Sequence, residues 1–182
     1  MISLKSKVTG KLLNYFFINP KESLYVNDLV KNLELDKRNL VKKLNELEKG
    51  GILTRQKRGN LKLYGINEKY PLYAEYKKIV LKTIGFEDRL KKIMDATTNI
   101  KEVYIYGSYA RDKMDVHSDI DLLVVGDHSI AFLQKRLNKF QKEINREINV
   151  VNMDENEFKK RIKNKDPFIS QVLKTKHIRI KL

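Results

Sequence analysis

Two aspartates, Asp119 and Asp121, open the hydrophobic run that ends at Val125, and Gly107-Ser108 stand twelve residues before them. On a strand, residues two apart face the same side, so both carboxylates would share one face. Together they make a hard oxygen site suited to Mg²⁺ or Mn²⁺. A strand that ends in Gly-Ser and enters a helix exposes backbone N–H groups that hold phosphate. Gly107 lets the backbone come close to a ligand, Ser108 adds a hydroxyl donor, and Arg111, one turn into the expected helix, can reach a phosphate. The chemistry this spacing suits is a metal-bound triphosphate attacked at its α-phosphate.

The stretch from Tyr106 to Val125, YGSYARDKMDVHSDIDLLVV, resembles the Gly-Ser signature of the polymerase-β-type nucleotidyltransferase superfamily in its minimal form. The resemblance implies Asp119 and Asp121 as catalytic metal ligands, Gly107, Ser108 and Arg111 as nucleotide contacts, and ATP or another NTP as the nucleotide. It also implies a third carboxylate on a later strand. The matching strand here is Glu147-Ile148-Asn149-Val150-Val151, and the aligned position is Asn149. An amide can ligate a metal through its oxygen but cannot act as general base. Glu147 points the same way two residues earlier, about 3.3 Å per strand step away. It is either a further metal ligand or a surface acid beside Arg146. His117, in the loop before Asp119, is a weaker candidate for metal or phosphate. His128 and His177 lack companions at ligand spacing. Tyr104 and Tyr106 read as core, and Lys135, Arg136 and Lys139 as a solvated helix face.

The elements that must position these residues follow from periodicity and turn chemistry. A helix from Phe86 to about Thr97 leads into a strand from Glu102 to Tyr106, and a second strand spans Asp119 to Val125. A helix over Ser129–Asn145, a strand over Glu147–Met153, a helix capped by Asp154, a short helix from Pro167 and a strand over His177–Lys181 complete a small α/β domain with a mixed sheet.

The N-terminal half reads differently. Leu4, Val8, Leu12, Leu13, Phe16 and Phe17 fall at helical spacing, ending near Pro20. A second short helix covers Tyr25 to Asn32. Asp36 caps a third, Lys37 to Lys49, closed by Gly50-Gly51. Strands Ile52–Arg58 and Leu61–Ile66 flank a Gly59-Asn60 hairpin turn. Three helices and a β-hairpin resemble bacterial and archaeal winged-helix regulators, the likeness lying in Leu40 to Lys57. The resemblance implies duplex DNA as partner. Lys37, Arg38, Asn39, Lys42, Lys43 and Asn45 lie off the third helix's apolar stripe, where they would meet bases and phosphates in the major groove. Arg55, Lys57, Arg58 and Lys62 surround the hairpin tip and suit the DNA backbone.

The chain is therefore expected to be α+β. Residues 1–68 form a winged helix-turn-helix domain, 69–85 a connecting helix opened by Pro71, and 86–182 a minimal nucleotidyltransferase domain. The net charge of +15 on 182 residues points to an anionic partner. Met1 to Glu68 carries 14 Lys/Arg against 7 Asp/Glu, and Lys69 to Leu182 carries 24 against 16, so the excess is denser in the first part. The absence of cysteine excludes disulfides and thiolate zinc sites and fits a cytoplasmic protein. No apolar run approaches the ~20 residues that span a bilayer, and Lys5, Lys7 and Lys11 mark the start as an amphipathic helix and not a signal peptide.

The leading expectation is a DNA-binding regulator whose second domain binds a Mg–nucleotide. The alternative is an active nucleotidyltransferase that moves a nucleoside monophosphate onto a protein, such as a toxin partner, or onto a small molecule. A third is a scaffold for protein contacts. A homodimer would suit a palindromic DNA site, although no dimerisation helix is evident in the sequence.

Overall fold

The computed structural model describes Leu4 and residues 6–182. Lys5, expected on the first helix, lies outside the described residues, as do Met1, Ile2 and Ser3. The chain divides into two compact units. One runs to Asp88 and includes Glu143–Asn145; the other comprises Arg89–Lys142 and Arg146–Leu182.

In the first unit, α1 (Lys7–Ile18) is followed by β1 (Ser23–Tyr25), α2 (Val26–Leu33), α3 (Lys37–Lys49), β2 (Leu53–Arg58), β3 (Leu61–Ile66) and α4 (Tyr73–Thr83). The first helix begins later than its apolar spacing suggests. Ser6 stops it, its side chain accepting a hydrogen bond from the Thr9 N–H. The strands form an antiparallel sheet in the order β1-β3-β2. β1 is not legible in the sequence, because three residues are too few to show alternation; it pairs Ser23 with Gly65 and delays α2 by one residue. Asp36 caps α3 as expected, accepting from the Asn39 N–H. Gly51, at φ +78°, takes the left-handed turn that releases the chain into β2. Leu12, Leu13, Phe16, Leu29, Leu40, Leu44 and Leu47 are fully buried, and this shared core fixes the helices. The helix expected as a connector belongs to this unit: Tyr73 of α4 meets the Phe17 ring edge-on at 5.6 Å.

In the second unit, α5 (Phe86–Asp95) precedes β4 (Ile100–Tyr106), the single turn α6 (Gly107–Ala110), β5 (Ile120–Gly126), α7 (Ile130–Ile144), β6 (Ile148–Met153), α8 (Glu155–Lys163), α9 (Pro167–Lys174) and β7 (Ile178–Ile180). The end residues of α5 and α7 fall in the first unit. The sheet is mixed, in the order β6-β5-β4-β7. β5 runs parallel to β6 and antiparallel to β4, which also pairs antiparallel with β7. Both faces are covered. Tyr104, Leu123, Val125 and Met153 cluster with Phe158 of α8 and with Ile169 and Val172 of α9. Strand residues of opposite parity, Val103, Ile105, Leu122 and Val124, are also buried, as are the stripes Leu90/Met94 of α5 and Leu133/Leu137/Phe140 of α7. A strand buried on both faces needs continuous apolar character, which Leu122-Leu123-Val124-Val125 supplies. The polar exception is the start of β5, where Asp121 stands on the strand and Asp119 immediately precedes it.

Candidate functional site

β5 sits between β4 and β6, so its first residues have neighbours on both sides. Asp121 is in register with Tyr106, the last residue of β4, and with Asn149, the second residue of β6. All three side chains therefore leave the same face of the sheet. The Asn149 amide donates to Asp119 Oδ2 at 3.1 Å and also bonds Asp121. One neutral amide thus gathers both carboxylates.

The Gly107-Ser108 corner closes against this pair. Gly107 has φ +71°, a conformation that L side chains rarely adopt. A Cβ on it would come within 2.1 Å of Asp121 Oδ2, so the backbone approaches the carboxylate as closely as it does only because no side chain intervenes. Ser108 Oγ lies 3.3 Å from the Asp119 carbonyl oxygen and 3.2 Å from Met114 Sδ, tying the corner to the residue that carries the first acid. The expected helix after the corner is one turn long and ends at Ala110. Arg111 is consequently its C-cap and not a residue inside it. So short a helix has little macrodipole, so the helix itself adds little positive charge at the corner. Arg111 is exposed, and its charge acts on Asp121.

The loop from Arg111 to Ser118 is held from two directions. Asp115 Oδ1 accepts from the His117 N–H and from Ser118 Oγ, both at 2.9 Å. Arg146, only 7% exposed, donates through Nη1 to the carbonyl oxygens of Val116 and Ser118, both at 2.9 Å. The second of these carbonyls immediately precedes Asp119. In the sequence Arg146 reads only as a partner for Glu147; its guanidinium instead anchors the loop that delivers the first acid. The available signal is a lone arginine ahead of a strand, which carries no information about a loop so distant in the chain.

Electrostatics mark Asp121 as the strained member. Burial raises its pKa above the ordinary carboxylate range; the Asn149 hydrogen bond pulls it down, the Asp119 charge raises it again, and Arg111 opposes. Tyr106 is raised as well, by burial and then by the charge of Asp121. A half-buried carboxylate facing a second one is costly without a counter-charge. Two carboxylates and an amide, all hard oxygen donors once the amide is turned, suit Mg²⁺ or Mn²⁺.

Among the described residues, no group of three or more His, Cys, Asp or Glu side chains is placed to hold a metal ion. On β6 it is Asn149 that touches the acids, while Glu147 is exposed and contributes its carbonyl oxygen to the Ile120 N–H at 3.0 Å. His117 is exposed. His128 bridges the Gly126 carbonyl and the Asn152 side chain, at 3.0 and 2.8 Å, at the far end of β5. Tyr104 is core, and its hydroxyl bonds Glu102.

The basic residues of the first unit are spread over α3 and the β2–β3 hairpin. Lys37, Arg38, Asn39 and Lys42 are placed on α3, and Lys57, Arg58 and Lys62 are exposed around the hairpin tip. Lys43 is bound to Glu46 at 2.6 Å and Arg55 to Glu48 at 3.2 Å. Asn45 is half-buried against the Tyr64 hydroxyl at 3.4 Å.

No helix among the described residues is long and apolar enough to cross a membrane. Solved structures similar to parts of the chain include the following three. A mutant of the toxin–antitoxin pair MntA–HpeT is 15% identical over 52% of this chain and 72% of its own, with TM-score 0.39. A toxin–antitoxin with AMP-PNP is 18% identical over 52% and 72%, with TM-score 0.38. A Sulfolobus solfataricus protein described as a nucleotidyltransferase is 25% identical over 41% and 68%, with TM-score 0.28. No curated protein matches the chain. Residues 87–176, which contain the Gly107-Ser108 corner, both aspartates and Asn149, match the family model for a nucleotidyltransferase domain.

Proposed function

We propose that the second unit transfers a nucleoside monophosphate from ATP or another NTP to an acceptor hydroxyl on a protein or small molecule. The observation that carries this reading is the gathering of Asp119 and Asp121 by Asn149 against the Gly107 backbone, inside the segment that matches a nucleotidyltransferase domain. Asp119, Asp121 and the amide oxygen of Asn149 would hold Mg²⁺ or Mn²⁺. When bound, the cation neutralises charge on the triphosphate as the acceptor oxygen attacks the α-phosphorus and pyrophosphate leaves. The N–H groups at Gly107 and Ser108 hold phosphate oxygens, and Arg111 adds a cation from solvent. Asn149 cannot take a proton, so the acceptor's proton passes to water.

The test is incubation with α-labelled ATP and Mg²⁺ or Mn²⁺, following both label transfer and nucleotide binding. Asp119→Ala/Asp121→Ala should lose transfer and metal-dependent binding. Equal binding by the double variant and the wild type removes the proposal.

A second reading concerns the first unit. Helices α1 to α3, the three-stranded sheet and its hairpin support a winged helix, and the cations of α3 and the hairpin tip support contact with duplex DNA. In this reading α3 enters the major groove and the hairpin follows the phosphates. The paired Lys43 and Arg55 would first have to leave their acids, so Lys37, Arg38, Lys42, Lys57, Arg58 and Lys62 carry more of the contact. Gel shifts against duplex DNA over a salt series test it; no binding to any duplex at low salt excludes it.

A further inference from the structure

Tyr104 and Tyr106 lie two apart on β4 and face the same side, yet their surroundings differ. Tyr104 is 6% exposed and sealed in the cluster with Leu123, Phe158 and Ile169. Tyr106 is half-buried at the end of that cluster, in register with Asp121. Its ring meets Phe168 edge-on, at 5.7 Å and 78°. Phe168 is also half-buried, and it stands on a fixed element. Pro167 opens α9, and Asp166 caps it by accepting from the Ile169 N–H at 3.0 Å. Core packing explains the inner faces of these two rings. It does not explain why two aromatic surfaces remain part-open beside Asp121.

We infer that Tyr106 and Phe168 form an aromatic shelf beside Asp121 on which the planar base of the bound nucleotide rests. This rests on the metal–nucleotide reading proposed above and adds where the base goes. The other rim of the site is the loop with Arg111, Lys113, Asp115 and His117, all exposed and polar. That rim is mostly charged, with Val116 the exposed apolar residue in it, and it suits phosphate and water better than the paired rings do. Every base has a π-face, so a shelf of this kind tolerates any base and holds a purine more firmly than a pyrimidine through its larger area. The base on the shelf and the phosphates at the Gly107 corner would place the α-phosphate between them, over the carboxylate pair.

The shelf separates two ligands that share their phosphates. Isothermal titration of the full chain with Mg–ATP and with Mg–tripolyphosphate reads the base alone. Wild type should bind Mg–ATP more tightly. Phe168→Leu and Tyr106→Leu, which keep apolar volume but remove the ring, should weaken Mg–ATP by about 5- to 100-fold, the range of one aromatic–base contact, and leave Mg–tripolyphosphate unchanged. Losses that are parallel for the two ligands, or absent for both, overturn the shelf. Equal affinity of the wild type for ATP and tripolyphosphate overturns it without any variant having to fold, and leaves the metal–phosphate reading standing. If the wild type binds neither ligand, the metal–nucleotide reading has failed and the shelf fails with it.

Discussion

The acidic corner of the second unit and the basic face of the first hold their charges in opposite ways. At the corner, two carboxylates, an amide and a glycine backbone are packed within hydrogen-bond or van der Waals reach, and each constrains the others. On the basic face, Lys37, Arg38, Lys42, Lys57, Arg58 and Lys62 are exposed like charges, Lys57 opposite Lys62 in the hairpin, and they act through a shared field. A built site fails when one atom moves by about an ångström. A field loses one increment per charge and is screened by salt. If the two regions have the roles proposed for them, single substitutions should affect them on different scales.

The largest expected effect is at Gly107. A methyl there meets Asp121 Oδ2 at 2.1 Å, in a backbone conformation that is itself unfavourable for alanine. Gly107→Ala should push Asp121 out of line and weaken Mg–ATP by roughly 10- to 100-fold, the scale of a displaced catalytic group, while lowering the melting temperature. Titration and thermal melts check this. Unchanged affinity would mean that the corner and the carboxylates do not act together.

Asn149→Asp sharpens the same comparison with a smaller effect. It removes the amide that bonds Asp119 and Asp121 and adds a third carboxylate. Metal-free protein should become less stable from like-charge repulsion. Divalent-ion affinity should rise by on the order of tenfold, because ligand charge tunes such sites. Mn²⁺ titration followed by electron paramagnetic resonance reads the affinity directly; a decrease would show that the neutral amide oxygen is the better ligand here.

On the basic face the unit of effect is one charge. Removing Lys57, Arg58 or Lys62 singly should weaken duplex binding a little for every sequence and reduce the salt slope by about 1 for each phosphate no longer neutralised. Lys43→Ala and Arg55→Ala should do less, because Glu46 and Glu48 already hold those cations. Sequence-dependent losses from the hairpin variants would reassign that hairpin from backbone to bases.

The same contrast governs how much is legible in the sequence. Asp119, Asp121, Gly107 and Ser108 stand in one local pattern, with the conformations of strand and turn coupling spacing to geometry, so their convergence can be anticipated. Asp36 and Gly51 are legible for the same reason. The Arg146 anchor is not, because it joins a residue ahead of β6 to carbonyls of a distant loop. Nor is the brevity of α6: nothing in Tyr109-Ala110-Arg111 stops a helix, and it is Asp112, at φ +57°, that turns the chain out. The split between Tyr104 and Tyr106 is invisible too, since period-two alternation gives a face but not where the covering helices end. On the basic face the residue types are readable, but which cations an acid already holds depends on tertiary placement of Glu46 and Glu48.

The smallest effect, and the one most specific to a built site, is on stability. In metal-free protein the raised pKa of Asp121 means that the folded state binds a proton more readily than the unfolded state. Stability must then fall as pH rises from the ordinary carboxylate range through the raised value, and the deficit persists at neutral pH. Asp121→Asn removes the deficit and keeps an oxygen for the Asn149 amide. In chelator at about pH 8 the variant should melt higher than wild type. The gap should close as pH is lowered toward the ordinary carboxylate range of about 4. Saturating Mg²⁺ should reverse the order, since binding to the folded state stabilises only the wild type. No single change among the cations of the first unit should show this crossing, because a field of solvated charges stores no such penalty. A variant that melts below wild type in chelator at that same alkaline pH would mean that the corner holds its second carboxylate without strain, and the physical case for a cation there would lose its main support.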